Sequence, residues 1–320
     1  MSCTLAATAQ VCAFIVRAVQ NFHVVLGKKK QAYLLLILTT LFWGGNAVSA
    51  ILAVGHISPF LLVSGRWLLA FCLALLVAWR YLRQDWVLLR GRLLYVFIMS
   101  LLGFSGFNTL FYVAAHSTSA LNIGIIQGAI PVLVLTLGAV FLRRSFGINQ
   151  AIGVLVTMCG VVTVATSGDW SSLLELGIGL GDGMMLTAAL LYSVYTLGLS
   201  LRPKVNGLSL YLILAASAFV SSLPLTFWEM GSGRVVWPDA TGWGLLVYIA
   251  IFPSFLSQIF FLRSVDLIGP ARAGVFVNLV PVFAPFMAVI FLKEAFLSYH
   301  AVSLLLVLGG ITIAEMQRGK

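Results

Sequence analysis

The chain has 320 residues, of which 61% are hydrophobic and only 9% charged, and its mean hydropathy is +1.07. A soluble domain is usually about 45–50% apolar and about 25% charged, so this composition excludes a water-soluble globular protein. The formal charge of +10 does not signal a nucleic-acid binder, because the basic residues sit in short clusters between apolar runs, where they set topology in a bilayer.

Residues 1–27 are apolar but interrupted by Arg17. They lack the basic stretch that precedes the apolar run of a secretory signal, so they read as an interfacial helix or as a start placed too early. With Lys28, Lys29 and Lys30 they form an N-terminal cytoplasmic segment, 1–30. No acidic or basic residue then interrupts the chain between Lys30 and Arg66, or between Arg92 and Arg143. A bilayer core about 30 Å thick needs roughly 20 apolar residues at 1.5 Å each. The apolar runs predict spans at about 31–54, 57–79, 93–115, 118–141, 147–167, 179–200, 207–229, 241–262, 270–292 and 296–315,. The loops between them are short, so neighbouring spans run antiparallel.

With the N-terminus inside, the cytoplasmic segments hold Arg17, Lys28, Lys29, Lys30, Arg80, Arg83, Arg90 and Arg92, then Arg143, Arg144, Arg202, Lys204, Arg263, Arg272, Arg318 and Lys320. The outer loops hold only Arg234 and Lys293. That asymmetry predicts a multi-pass protein of a bacterial inner (plasma) membrane with both termini in the cytoplasm.

The sequence repeats at a spacing of 150 residues. AIPVLVLTLGAVFLRRSF (129–146) lies over LVPVFAPFMAVIFLKEAF (279–296), pairing Pro131 with Pro281 and Phe141 with Phe291. Gly124 matches Gly274 and Gly160 matches Gly310 without a gap. Coincident Pro and Gly carry more weight than Leu and Val identities in apolar helices. Each half, 31–167 and 168–316, holds an odd number of spans, so the second half sits inverted. Inverted repeats are a transporter architecture with a site near the midplane. The fold expected is an all-α membrane protein of ten helices, in two inverted five-helix repeats around a central cavity.

The LFWGGN segment (41–46), the spacing from Pro59 to Arg66-Trp67, and the paired patterns SALNIGIIQGAIP (119–131) and DLIGPARAGVFVNLVP (266–281) together resemble the EamA-type drug/metabolite transporters. The resemblance covers about 31–316 and implies that fold, with export of small metabolites. One departure stands out. That family ends helices 4 and 9 with a Glu after Phe-Leu. Glu294 keeps it, whereas the first half has Arg144.

Arg66 is the only charge deep within a span. Nine residues from the outer end of its helix place it about 13 Å down, where a charge is costly and faces the bundle interior. It is either an anchor for a substrate carboxylate or a structural arginine bonded to neighbouring backbone carbonyls. Its repeat counterpart is Ala216, so the fold does not need it twice. Trp43 and Asn46, Asn108 and Tyr112, and Tyr192 and Tyr195 share helix faces by spacing. Gln127 and Asn278 fall near mid-depth, and Asn108 matches Gln258 through the repeat. Each amide alone is explained by interhelical hydrogen bonding; as a cluster they are candidate cavity residues. Glycines at 44–45, 103, 106, 153, 160 and 309–310 read as close-packing positions. Pro131, Pro253 and Pro281 are candidate helix breaks or hinges, at the site or as plain kinks.

Other chemistry fails on geometry. GLGD (179–182) suggests an intramembrane aspartyl protease, but no second aspartate lies within a facing span,. GIGLGDG follows no strand and is not a phosphate loop. Cys3, Cys12, Cys72 and Cys159 have no paired spacing, and His23, His56, His116 and His300 are scattered, so neither a metal site nor a cofactor is expected. No carboxylate falls at mid-depth to couple protons or sodium, which leaves exchange, facilitated diffusion, or coupling through backbone and Tyr groups. These readings converge on a non-enzymatic secondary transporter, a monomer or homodimer; the resemblance implies that it exports a small polar metabolite, and Arg66 with the aromatic residues leans towards an amino acid or other carboxylate. A receptor or scaffold would call for a sizeable soluble domain. A channel would show non-saturating flux.

Overall fold

The computed structural model describes residues 27–142, 147–173, 179–233, 235–268, 273 and 276–315. Segment 1–26, Arg144 and Gly274 lie outside the described residues. Among those described, all regular structure is helical, and seven helices are long and apolar enough to cross a membrane. These are α1 (Lys28–Ala53), α2 (Pro59–Arg90), α3 (Leu93–Ala114), α4 (Ala120–Phe141), α6 (Leu180–Leu201), α7 (Gly207–Gly231) and α8 (Ala240–Ile268). Three shorter apolar helices complete the order: α5 (Ile148–Val164), α9 (Val277–Leu292) and α10 (Ser298–Ile313).

Helix starts follow local chemistry. Pro59 opens α2, where its missing N–H costs nothing,. Ser119, Asn206 and Asp239 accept from Asn122 N, Leu208 N and Gly242 N at the starts of α4, α7 and α8,. The Gly242 bond, with one from His56 at 2.7 Å, holds the exposed Asp239 carboxyl below its ordinary range. Two boundaries depart from expectation: α8 runs six residues past its expected end at 262, to Ile268, and α2 continues through residues 80–90, expected as a cytoplasmic loop. YLRQDWVLLR contains neither Gly nor Pro, so nothing stops the helix before Gly91,. Arg83 lies over the Trp79 ring on this extension, 4.8 Å from its centroid.

The exterior is apolar, as lipid requires: Leu76, Leu155 and Leu305 are exposed. The interior is built on small residues. α2 buries Ala70, Ala74 and Ala78 on one face and packs along α7,. α5 packs along α10. A Cβ added at Gly160 would stand 2.8 Å from Ser303 O, and one at Gly310 would stand 2.6 Å from Gly153 O. Gly309 differs from expectation, since nothing lies within 4 Å of a Cβ there. The remaining contacts are reciprocal. α1 packs on α8 and α9, and α6 packs on α3 and α4, the same relation five helices on.

At the end of the bundle expected to face outward, carboxylates close onto helix N-termini. Both oxygens of Glu294 accept from Ala120 N and Leu121 N at 2.9 and 3.0 Å, and Glu229 accepts from Leu61 N at 3.1 Å, as unpaired first-turn N–H groups favour. Buried Asp182 accepts from Thr118 Oγ1 and Asn122 Nδ2. At the opposite end Asp85 accepts from Asn206 N at 2.9 Å.

Candidate functional site

Four irregularities in otherwise long helices shape the interior. α3 widens to π geometry at Leu101–Gly106, and α8 does so at Ala250–Leu256, nearly the same place in each half. α4 is interrupted at 128–129 before Pro131, and α9 opens with a 3₁₀ turn, Val277–Leu279, before Pro281. Each proline is the second residue of its α-helical segment, where it needs no N–H,. The three prolines therefore sit where helices change geometry, and all three lie on one cavity. Wide turns of this kind recur at functional sites.

The cavity encloses about 80 Å³, on a scale where one water needs about 10–15 Å³. It is therefore roomy enough for a small organic molecule. Trp43, Asn46, Arg66, Asn108, Gln127, Tyr192, Gln258 and Asn278 all line it, so the walls come from α1–α4 and from α6, α8 and α9. Trp67, Phe104 and Phe107 complete the aromatic part, with Trp67 stacked on Phe104 at 4.6 Å between centroids.

Tyr112 and Tyr195 were expected in the lining and stand behind it instead. The Tyr112 hydroxyl is turned onto neighbours, accepting from Arg66 Nη1 at 2.6 Å and donating to Asn46 Oδ1 at 2.7 Å. Tyr195 is buried edge-on against Phe104, in the gap left by Gly103. Helical spacing put each tyrosine on the right face, but neighbouring helices come too close to leave it on the cavity.

Arg66 is 3% exposed. Its Nη1 donates to Asn108 Oδ1 and Tyr112 Oη, both at 2.6 Å, and its Nε and Nη2 converge on Ser254 Oγ at 3.0 and 2.7 Å. Neutral side chains, not backbone carbonyls, hold it. Among the described residues no carboxylate lies within 4.0 Å of it, the one carboxylate–base pair being His56–Asp239. Guanidinium carries five N–H donors. Four are engaged, which leaves one on Nη2 without a protein acceptor.

Ser254 was missed by sequence reasoning, and its role follows from Pro253. Proline has no N–H to give the carbonyl of Ile249, four residues earlier. Ser254 Oγ donates to that carbonyl at 2.6 Å, which leaves its lone pairs for Arg66. Tyr211 Oη braces the same turn, donating to Ser254 O at 2.6 Å. The Pro-Ser pair inside an apolar run was the available signal.

A family model for the EamA-like transporter family matches the chain twice, over residues 30–166 and 179–316. The uncharacterized transporter YetK of Bacillus subtilis (strain 168) is 23% identical over 296 residues, 92% of this chain and 90% of that protein. The uncharacterized transporter YyaM of the same organism is 27% identical over 265 residues, 80% of this chain and 84% of that protein. A solved crystal structure superposes with a TM-score of 0.61 at 18% identity, over 88% of this chain and 96% of that one; it speaks to the fold alone. With two matches that together take in most of its length, the chain belongs to the EamA-like transporter family.

Proposed function

We propose that the protein is a secondary transporter that exports a small polar metabolite, an amino acid or other carboxylate, by alternating access. The observation that carries this reading is the cavity itself. It is walled by both halves of the chain, holds a buried arginine, and is flanked by the helix irregularities at Pro131, Pro253 and Pro281. Two inverted five-helix repeats of 31–167 and 168–316 would rock about it, and the reciprocal pairing of α1 with α8 and α9, and of α6 with α3 and α4, supports that symmetry. The seven long and three shorter apolar helices support ten spans. The bias of Lys and Arg supports a bacterial inner membrane with both termini in the cytoplasm. The protein acts as a carrier and not as an enzyme, in contact with its substrate and the bilayer, as a monomer or homodimer.

The test is efflux from proteoliposomes loaded with a labelled mixture of amino acids and organic acids, compared with protein-free vesicles. Saturable loss of one compound class is expected. Flux that rises linearly with concentration would make the protein a channel. Absence of any protein-dependent flux from folded protein would leave the scaffold reading.

A further inference from the structure

We infer that the transported species is an organic monoanion with an aromatic or otherwise flat apolar body, moved as a uniport driven by the membrane potential. This inference rests on the carrier reading above and narrows it from amino acids and carboxylates in general. Three observations lead to it.

The first is the charge of the site. Arg66 is permanently ionised at any working pH, is buried, and is held only by neutral groups. A cation in a low-dielectric interior is poorly compensated by neutral acceptors alone, so an anion in the cavity gains what the protein withholds. The open N–H on Nη2 gives that anion a direct contact. Trp67, also a lining residue, has its Nε1 buried without a protein acceptor. An open N–H on a buried cation suits an oxyanion.

The second is what the lining lacks. Among the described residues around the cavity there is no Asp, Glu or His. The α-ammonium of a zwitterionic amino acid would meet no carboxylate, and would sit in the field of Arg66. The same lining holds no carboxylate or imidazole to carry a coupling proton beside the substrate. A negatively charged substrate needs none, because an inside-negative potential itself drives it outward.

The third is the shape of the walls. Trp67 and Phe104 lie stacked with an interplanar angle of 15°, and Trp43, Phe107 and Tyr192 close the space around them. Amides from Asn46, Gln127 and Gln258 lie on the same cavity and are suited to a second neutral polar group on the substrate.

The test is a charge series on one body. Phenylacetate, phenylalanine and phenethylamine carry charges of about −1, 0 and +1 at neutral pH. Their efflux is measured from proteoliposomes whose potential is clamped with potassium and valinomycin, with protein-free vesicles subtracted as leak. For a monoanion uniport a potential of about 100 mV, interior negative, corresponds to an outward gradient of roughly 50-fold at equilibrium. Saturable phenylacetate efflux that approaches that ratio, lost in Arg66→Gln and partly kept in Arg66→Lys, supports the inference. Saturable phenylalanine or phenethylamine efflux that ignores Arg66→Gln overturns it, while transport stands. Phenylacetate efflux indifferent to the clamp overturns the uniport. If none of the three moves, binding by tryptophan fluorescence separates the claims. Phenylacetate binding lost in Arg66→Gln keeps the anion site and removes the carrier reading, and no binding removes both.

Discussion

Arg66 and Ser254, 188 residues apart in the chain, share one hydroxyl: Nε and Nη2 donate to Ser254 Oγ at 3.0 and 2.7 Å. Because Pro253 cannot satisfy the Ile249 carbonyl, Ser254 turns its own hydrogen there and is left as an acceptor,. The orientation of the arginine in α2 is thus set by a missing N–H in α8. Ser254→Ala would leave two buried N–H groups unpaired, at about 1–3 kcal/mol. A lower thermal midpoint and a KM raised about tenfold are expected, read by intrinsic fluorescence on heating and by efflux kinetics. Pro253→Ala restores an N–H that competes for the Ile249 carbonyl. A milder rise in KM with little loss of stability is expected from it.

Glu294 places both carboxylate oxygens on the first N–H groups of α4, and Asp182 holds the neighbouring Thr118 and Asn122. A carboxylate at a helix N-terminus contributes about 0.3–1 kcal/mol, and up to about 2 kcal/mol when partly buried. Glu294→Gln is therefore expected to lower the unfolding midpoint by a few degrees. It should also raise the labelling rate of a cysteine placed at Thr118, since the same bonds tie the end of α4 to its neighbours. An unchanged labelling rate would mean that this carboxylate does not restrain that end.

Adjacent glycines in α10 give a paired prediction. A Cβ at Gly310 would stand 2.6 Å from both Gly153 O and Thr157 N, whereas one at Gly309 meets nothing within 4 Å. Gly310→Ala is expected to force α5 and α10 apart, at about 1–3 kcal/mol. Gly309→Ala is expected to be neutral or to stabilise, by up to about 1 kcal/mol of helix propensity. Thermal unfolding in one detergent compares the two directly.

Orientation is checked by labelling single cysteines in a variant with the native cysteines replaced by serine. Exposed Trp237 precedes α8 at the end expected outside, and Lys204 precedes α7 at the other. Trp237→Cys should react with a membrane-impermeant maleimide in intact cells, and Lys204→Cys only after permeabilisation. The reverse pattern would invert the assignment of both termini.

Much of this was legible in the sequence, because lipid leaves composition and periodicity little freedom. Apolar runs placed helices to within a few residues, except where α8 ran on to Ile268 and where α2 ran on to Gly91 because nothing in YLRQDWVLLR stops it. The residues of the cavity wall were legible wherever a polar side chain interrupted an apolar face, as at Asn46, Gln127 and Gln258. Ser254 was not, since a serine in a span most often bonds its own helix, as this one does to Ile249 O, and spacing does not show that the same hydroxyl also accepts from Arg66. Tyr112 and Tyr195 were placed on the correct faces. Whether a face meets space or a neighbour depends on close approach at positions such as Gly103, which spacing alone does not give.

The most direct test of the account is the initial rate of saturable efflux for wild type and Arg66→Gln, reconstituted side by side from material of matched elution profile and unfolding midpoint. The account predicts protein-dependent, saturable efflux for wild type and a loss of at least about tenfold in the variant, the scale of one charge-assisted hydrogen bond. Equal rates from the two folded proteins would contradict it, because flux would then bypass the cavity that Arg66 lines.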